Sequence, residues 1–210
     1  MANATTPRRR SWLVGLAILA VVLVYVGTSS VRSINRIPTL DEGVTANWAQ
    51  VENQYQRRAD LIPNLVETVK AYAGHERETL TAVTEARASV AQMTIPEDIL
   101  TNESAFRAFE QKQAALSQSL ARLLLVVESY PDLKANQNFL ALQSQLEGTE
   151  NRVAVARRDY IEAVKSYNTE LRTFPGRWWA EFLYPDAEPK QSFAARPGVE
   201  QVPQVNFGSQ

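Results

Sequence analysis

Apolar residues recur at intervals of three and four from Leu40 to Leu171, a spacing that predicts amphipathic helices rather than strands. The first helix is expected over about 40–73. At about 100° per residue, Val44, Val51, Tyr55, Ile62, Leu65 and Val69 fall in one stripe, and Asn53, Arg57, Asp60 and Asn64 gather on the far side. Pro38 precedes this helix, Asp41 and Glu42 suit its positive amino end, and Gly74 closes it. Pro63 lies inside it, lacking an amide donor and crowding the carbonyl of Ala59, which predicts a kink near Ala59 and Asp60. The stripe keeps its phase from Tyr55 to Val69, so one helix is expected there and not two.

A shorter second helix is expected over about 75–93, with Leu80, Val83, Ala86 and Val90 on one face, followed by a loop around Pro96. The third, about 97–129, turns Leu100, Phe106, Phe109, Leu116, Leu120, Leu123, Leu124 and Val127 inward, and Tyr130-Pro131-Asp132 ends it. The fourth runs from near Ala135 to about Arg172 with Phe139, Leu142, Leu146, Val153, Tyr160, Val164, Tyr167 and Leu171 in one stripe. Four such stripes joined by short connections are buried together most simply in an antiparallel four-helix bundle. At a rise of about 1.5 Å per residue the long helices each reach roughly 50 Å, so the all-α domain is elongated.

The amino-terminal pattern is different: no charge interrupts Trp12 to Val31, and Arg8, Arg9 and Arg10 precede it. A helix of about 20 such residues spans a hydrocarbon core, with Trp12 and Tyr25 near its ends as interfacial aromatics. A single transmembrane anchor is therefore expected; the alternative is a cleaved signal peptide, since Gly27, Thr28, Ser29 and Ser30 are small. Three arginines before the span against Arg32 and Arg36 after it favour a cytoplasmic amino terminus with the bulk outside, the reverse orientation being the alternative. The organisation expected is a basic segment 1–11, an anchor 12–31, a bundle domain 38–184 and an extended, partly mobile tail 185–210.

Composition narrows the function classes. A net charge of −1 over 210 residues argues against nucleic acid as a partner. With no cysteine and His75 as the only histidine, one chain cannot assemble a Cys/His zinc site, and no metal or cofactor is expected. No Gly-rich phosphate loop interrupts the helical pattern.

The run Gln56 to Val66, QRRADLIPNLV, resembles the hallmark of the LemA family. Further matches to that family are His75-Glu76, Thr84-Glu85-Ala86-Arg87, Asn138-Phe139, Leu142-Gln143, Leu146-Glu147, Thr149-Glu150-Asn151-Arg152, Ala156-Arg157, Tyr167-Asn168 and Phe174-Pro175. They span about residues 35 to 182. The chain departs from the family at Ile34-Asn35 and Tyr160-Ile161, where Tyr-Asn is frequent. The resemblance implies a single-pass membrane protein with an antiparallel helical bundle and no assigned catalytic activity.

The candidate sites carry two readings each. Arg57, Asp60 and Asn64, away from the apolar stripe, form either an exposed i,i+3 ion pair with a solvated neighbour or a protein-contact surface. Arg58 and Glu150 lie by the stripes, either with packed stems and heads in water or as an interhelical pair setting register. Trp178, Trp179, Phe182 and Tyr184 arrive near the bilayer if the four helices alternate in direction, and either sit in the membrane interface or cap the bundle core. His75 begins a helix without a catalytic constellation read around it. Together these predict a non-enzymatic envelope scaffold or adaptor whose partners are the lipid bilayer, further copies of itself or another envelope membrane protein. The alternative is an accessory subunit or modulator of an envelope protease or other hydrolase.

Overall fold

A computed structural model describes residues 8–194, with seven helices and no strand among the described residues. They are α1 (Arg8–Ile34), α2 (Arg36–Ala73), α3 (Arg77–Ala91), α4 (Glu103–Val127), α5 (Pro131–Lys134), α6 (Gln137–Arg172) and α7 (Gly176–Leu183). The start of the basic segment and the tail beyond Ala194 lie outside the described residues.

The apolar span is helical, and it passes into the bundle with almost no interruption. Only Asn35 separates α1 from α2, and it keeps right-handed helical angles, φ −71° and ψ −9°. Its amide donates to the Val31 carbonyl at 3.0 Å, and the Thr39 amide donates to its own carbonyl at 3.2 Å. The first bundle helix thus starts at Arg36, ahead of the expected residue 40. Pro38 does not delay it: the fixed φ of proline suits a helix, only the Ile34 carbonyl loses an amide donor, and the ladder resumes with Thr39. Pro63 does not break α2 either, and the structure supplies a reason in trans. The Ala59 carbonyl, which loses its i+4 donor to Pro63, accepts instead from Nε of Arg87 on α3 at 3.1 Å.

From α2 the chain goes out, back, out and back. α3 and α4 are too short to follow α2 and α6 along their whole length: at about 1.5 Å per residue, α2 and α6 exceed 50 Å, whereas α3 covers less than half of that. α4 starts at Glu103 and not near residue 97, because Pro96 to Asn102 forms successive turns and Asn102 then caps the helix, its side chain accepting from the Ala105 amide at 3.2 Å. Asn136 does the same for α6 through the Phe139 amide at 3.0 Å. The predicted stripes are the buried ones, and they form two clusters stacked along the rod. The cluster near the anchor is aromatic, built on Trp48, Tyr55, Phe106, Phe109, Tyr160 and Tyr167; the distal one is aliphatic, built on Ile62, Leu65, Leu116, Leu120, Leu123 and Leu146.

Two elements fill the stalk where α3 and α4 are missing. After the cis peptide bond Phe174–Pro175 the chain forms α7, packed so closely that a side chain on Gly176 would collide with the Glu170 carbonyl. The segment 185–194 then runs back up the bundle without helix. It belongs to the stretch expected to be extended and partly mobile, and over these residues it is a docked strap. The Asn168 side-chain amide pairs both ways with the backbone of Lys190, at 2.8 and 2.9 Å, and Tyr160 donates to the Gln191 carbonyl at 2.7 Å. Lys190 reaches Asp41 at 2.8 Å, and Phe193 enters the aromatic cluster against Trp48, Phe106 and Tyr160.

Burial pushes the Tyr160 phenol far above its ordinary range, and burial together with the Asp41 carboxylate pushes Tyr167 up to about 12. An unfolded tyrosine ionises near pH 10, so the unfolded chain loses these protons first. The stability the two phenols contribute is complete below about pH 10 and is lost as the pH rises through the folded values. In an alkaline titration the thermal midpoint is expected to fall from about pH 10 upward, with these two phenols giving the last phenolate absorbance to appear. Ionisation of all seven tyrosines together, before any loss of structure, would contradict this.

Candidate functional site

The hallmark run places its two arginines in opposite settings. Arg58 sits at the boundary between the aromatic and aliphatic clusters, and its side chain is 2% exposed. One terminal nitrogen donates to Ser117 Oγ at 2.8 Å and to Glu150 Oε1 at 2.9 Å; the other donates to the Gln113 side-chain oxygen at 2.6 Å and to its carbonyl at 3.3 Å. The guanidinium also lies 5.0 Å from the centre of the Tyr55 ring. The charged head therefore does not reach water, in contrast to the stem-packing reading. Glu150 is 44% exposed, so the pair has one dry and one wet partner. Three helices meet in this polar layer, α2 through Arg58, α4 through Gln113 and Ser117, and α6 through Glu150.

A cleft of about 270 Å³ opens beside the layer, with Glu110 and Arg157 on its walls. Those two side chains are 3.7 Å apart, and Arg157 stacks its guanidinium 4.1 Å from the Phe193 ring centre. Burial pushes the Glu110 carboxyl up, against the lowering pull of Arg157 and Arg107. Two arginines and two glutamates leave the cleft electrically balanced, and the Ser117 hydroxyl on its wall donates to the Gln113 carbonyl at 3.1 Å. The hydrogen bonds of Arg58 link the three helices at this level.

Arg57, Asp60 and Asn64 are all exposed on the opposite face of α2. The i,i+3 pair of the first reading, between Arg57 and Asp60, is not made: Asp60 accepts from Gln56 Nε2 at 2.8 Å, one turn back along the same face. An i,i+4 amide reaches along a helix as readily as an i,i+3 guanidinium, and it carries no charge to desolvate. The face is open, and the residues on it are not brought together into a cluster.

At the distal end, Tyr130 joins the turn after α2 to the turn after α4. Its hydroxyl lies against His75 Nε2 and donates to Glu76 Oε1 at 2.8 Å. The carboxylate hydrogen bond pushes the Tyr130 phenol up. His75 thus has neighbours that the sequence did not reveal, on an exposed rim where they act as a clasp between two loops.

The four aromatics near the anchor divide into two sorts. Trp179 and Tyr184 are half-buried and pack against the aromatic cluster, and Trp179 Nε1 donates to Ser33 Oγ at 3.0 Å, tying α7 to the end of α1. Trp178 and Phe182, one turn apart, are 55% and 75% exposed, and Phe174 stands edge-on to Trp178 with ring centres 5.2 Å apart. This outward apolar stripe was legible in the sequence only as a cluster of aromatics; that the chain is helical there, and which rings face out, came from the fold.

The sequence profile of the LemA family matches residues 47–207. Magnetosome protein MamQ 2 of Paramagnetospirillum magneticum is 25% identical to the chain, the alignment covering 83% of this chain and 71% of that protein. Magnetosome protein MamQ of Magnetospirillum gryphiswaldense is 23% identical over 76% of this chain and 65% of its own length. Protein LemA of Metamycoplasma hominis is 25% identical over 76% of this chain and 66% of its own. None of these names specifies a reaction.

Proposed function

This chain belongs to the LemA family, and on that premise we propose that it is a membrane-anchored scaffold or adaptor at the bacterial cell envelope, acting by self-association or by binding another membrane protein, without catalysis of its own. The observation that carries the reading is the junction at Asn35, where the apolar helix continues into α2 with helical backbone angles and with helical hydrogen bonds to Val31 and from Thr39. A bundle hung on a flexible linker would sample every orientation. A bundle whose first helix extends the anchor is held upright, and everything on its sides is presented at a set height above the bilayer. Confinement to the membrane plane then raises the effective concentration of any partner in the same membrane.

Three further observations support it. The hallmark residues are spent on architecture, Arg58 in the interhelical layer and Pro63 with Arg87 at the Ala59 carbonyl. Trp178 and Phe182 expose rings beside the foot of the anchor, where indole and phenyl groups suit the headgroup region. The relatives' names give a location or a family and no reaction. The membrane is the inner or plasma membrane in this reading, with the amino terminus in the cytoplasm and the bundle outside.

The exposed face around Arg57, Asp60 and Asn64 is the contact surface proposed. Reversing one of its charges with Arg57→Glu, which opposes like charges to Asp60 across a contact between two copies, is expected to leave the helical circular dichroism unchanged. It should weaken assembly of the full-length protein in detergent by about tenfold or more, since like charges opposed across an interface cost several kcal/mol. Light scattering reads the result. An unchanged assembly state with an intact fold would remove this face from consideration, and an active hydrolase co-purifying with the wild type would favour an accessory role.

A further inference from the structure

At the foot of the rod, where α1 passes into α2 and α6 returns, a groove of about 650 Å³ lies between the descending and ascending chains. One wall carries Arg32 and Arg36, the other Lys165 and Glu170. Glu170 binds Arg36 Nε at 2.8 Å, which cancels one of the three cations and leaves a net of two positive charges along the groove. Lys165 also lies 3.5 Å from Glu162, but both side chains are mostly in water, where such a pair is weak and its ammonium is easily shared. Ser29, Ser166 and Thr169 add hydroxyls, and Phe174 forms an apolar end.

The height of this groove is set by the anchor. Val31 is the last residue of the uncharged run and Arg32 the first charge after it, so the groove begins inside the apolar span, at Ser29, and rises from it. Arg32 and Arg36 are one helical turn apart, about 6 Å, which matches the headgroup layer flanking a hydrocarbon core about 30 Å thick. Resting on the reading of α1 as a membrane span, we propose that this groove seats the headgroup of an anionic phospholipid from the surrounding leaflet. The phosphate lies between Arg32 and Lys165, the hydroxyls bond the glycerol or headgroup oxygens, and the acyl chains run down α1. A headgroup carrying its own cation would meet the groove's net positive charge and be disfavoured. A soluble phosphate would leave Phe174, 65% exposed, and the apolar turns of α1 facing water. Such a lipid would wedge the anchor against α6 and hold the rod upright.

The test uses the full-length protein in detergent, offered an equal mixture of phosphatidylglycerol and phosphatidylcholine, with bound lipid counted by native mass spectrometry. Phosphatidylglycerol is expected to be retained preferentially. Arg32→Gln with Lys165→Gln should reduce its adducts about tenfold, from the loss of two cations at the surface. Arg77→Gln with Arg122→Gln, the same charge change at exposed positions on the distal half, should leave them unaltered. Equal retention of the two lipids, or equal loss in the distal pair, overturns the proposal. Displacement of phosphatidylglycerol by inorganic phosphate alone also overturns it, by showing that the site reads the free ion. Carbonate extraction separates the two levels: a chain washed from membranes would overturn the span and the groove together, whereas an embedded chain without lipid preference would overturn the groove alone.

Discussion

Glu150→Ala is expected to lower the stability of the bundle by about 3 kcal/mol, the low end of the cost of leaving a buried charge unpaired. Arg58 is the reason. Its guanidinium is dry, and Glu150 is the anion among the groups bonded to it, Gln113 and Ser117 being neutral. The low end applies because Glu150 is partly in water, so part of its attraction for Arg58 is already screened. For a domain of this size the thermal midpoint should fall by about 6 to 12 °C. Glu150→Gln retains an acceptor and should cost roughly 1 kcal/mol. Replacing both partners, Arg58→Met with Glu150→Leu, removes the buried charge altogether and should recover most of the loss. Melting curves of the four proteins in the same detergent decide the matter. A double replacement no better than Glu150→Ala would mean that the layer does not act through its charge.

Phe193→Ala is expected to cost about 3 kcal/mol or somewhat more, the usual penalty for emptying a buried phenyl site. The ring is 6% exposed, and its centre lies 5.0 Å from Phe106 and 5.5 Å from Tyr160. The strap holding it is short and extended, so the loss has an upper limit: once docking costs more than it returns, 185–194 detaches and the remaining bundle persists with Trp48, Phe106 and Tyr160 uncovered. Two signatures follow. The Gln191 amide, which donates to the Leu100 carbonyl, should exchange with solvent much faster, and protease should cut within 185–194 before it cuts the helices. A thermal midpoint within about 1 °C of wild type, with unchanged exchange at Gln191, would show that the strap contributes little; on the scaling used above that is less than about 0.5 kcal/mol.

Both effects concern positions whose environment a linear reading reaches only in part. Setting Gln56 to Val66 on a helix correctly separates Arg58 from Arg57, because side-chain direction depends only on the 100° step. It does not give the depth of Arg58, since depth requires Gln113, Ser117 and Glu150 to arrive from two other helices, up to 92 positions away. The same limit applies to Ala59 and Arg87: the proline signals a freed carbonyl, and only the packed α3 shows what binds it. Phe193 escapes notice because its neighbours Gln191, Ser192 and Ala194 carry no apolar period, and a strap is held by single contacts rather than by a stripe.

What the sequence by itself determined is the set of local elements: the apolar span, the four amphipathic stripes, the inward face of each and their alternation in direction. These depend on periodicity and on short connections, which are properties of neighbouring residues. Tertiary structure alone decided the polar layer between two unlike cores, the strap that completes the stalk, and the foot where Trp179 meets Ser33 across 146 positions. Each of those is a meeting of residues distant in the chain, and its energy comes from burial and hydrogen bonding that exist only once the helices are side by side.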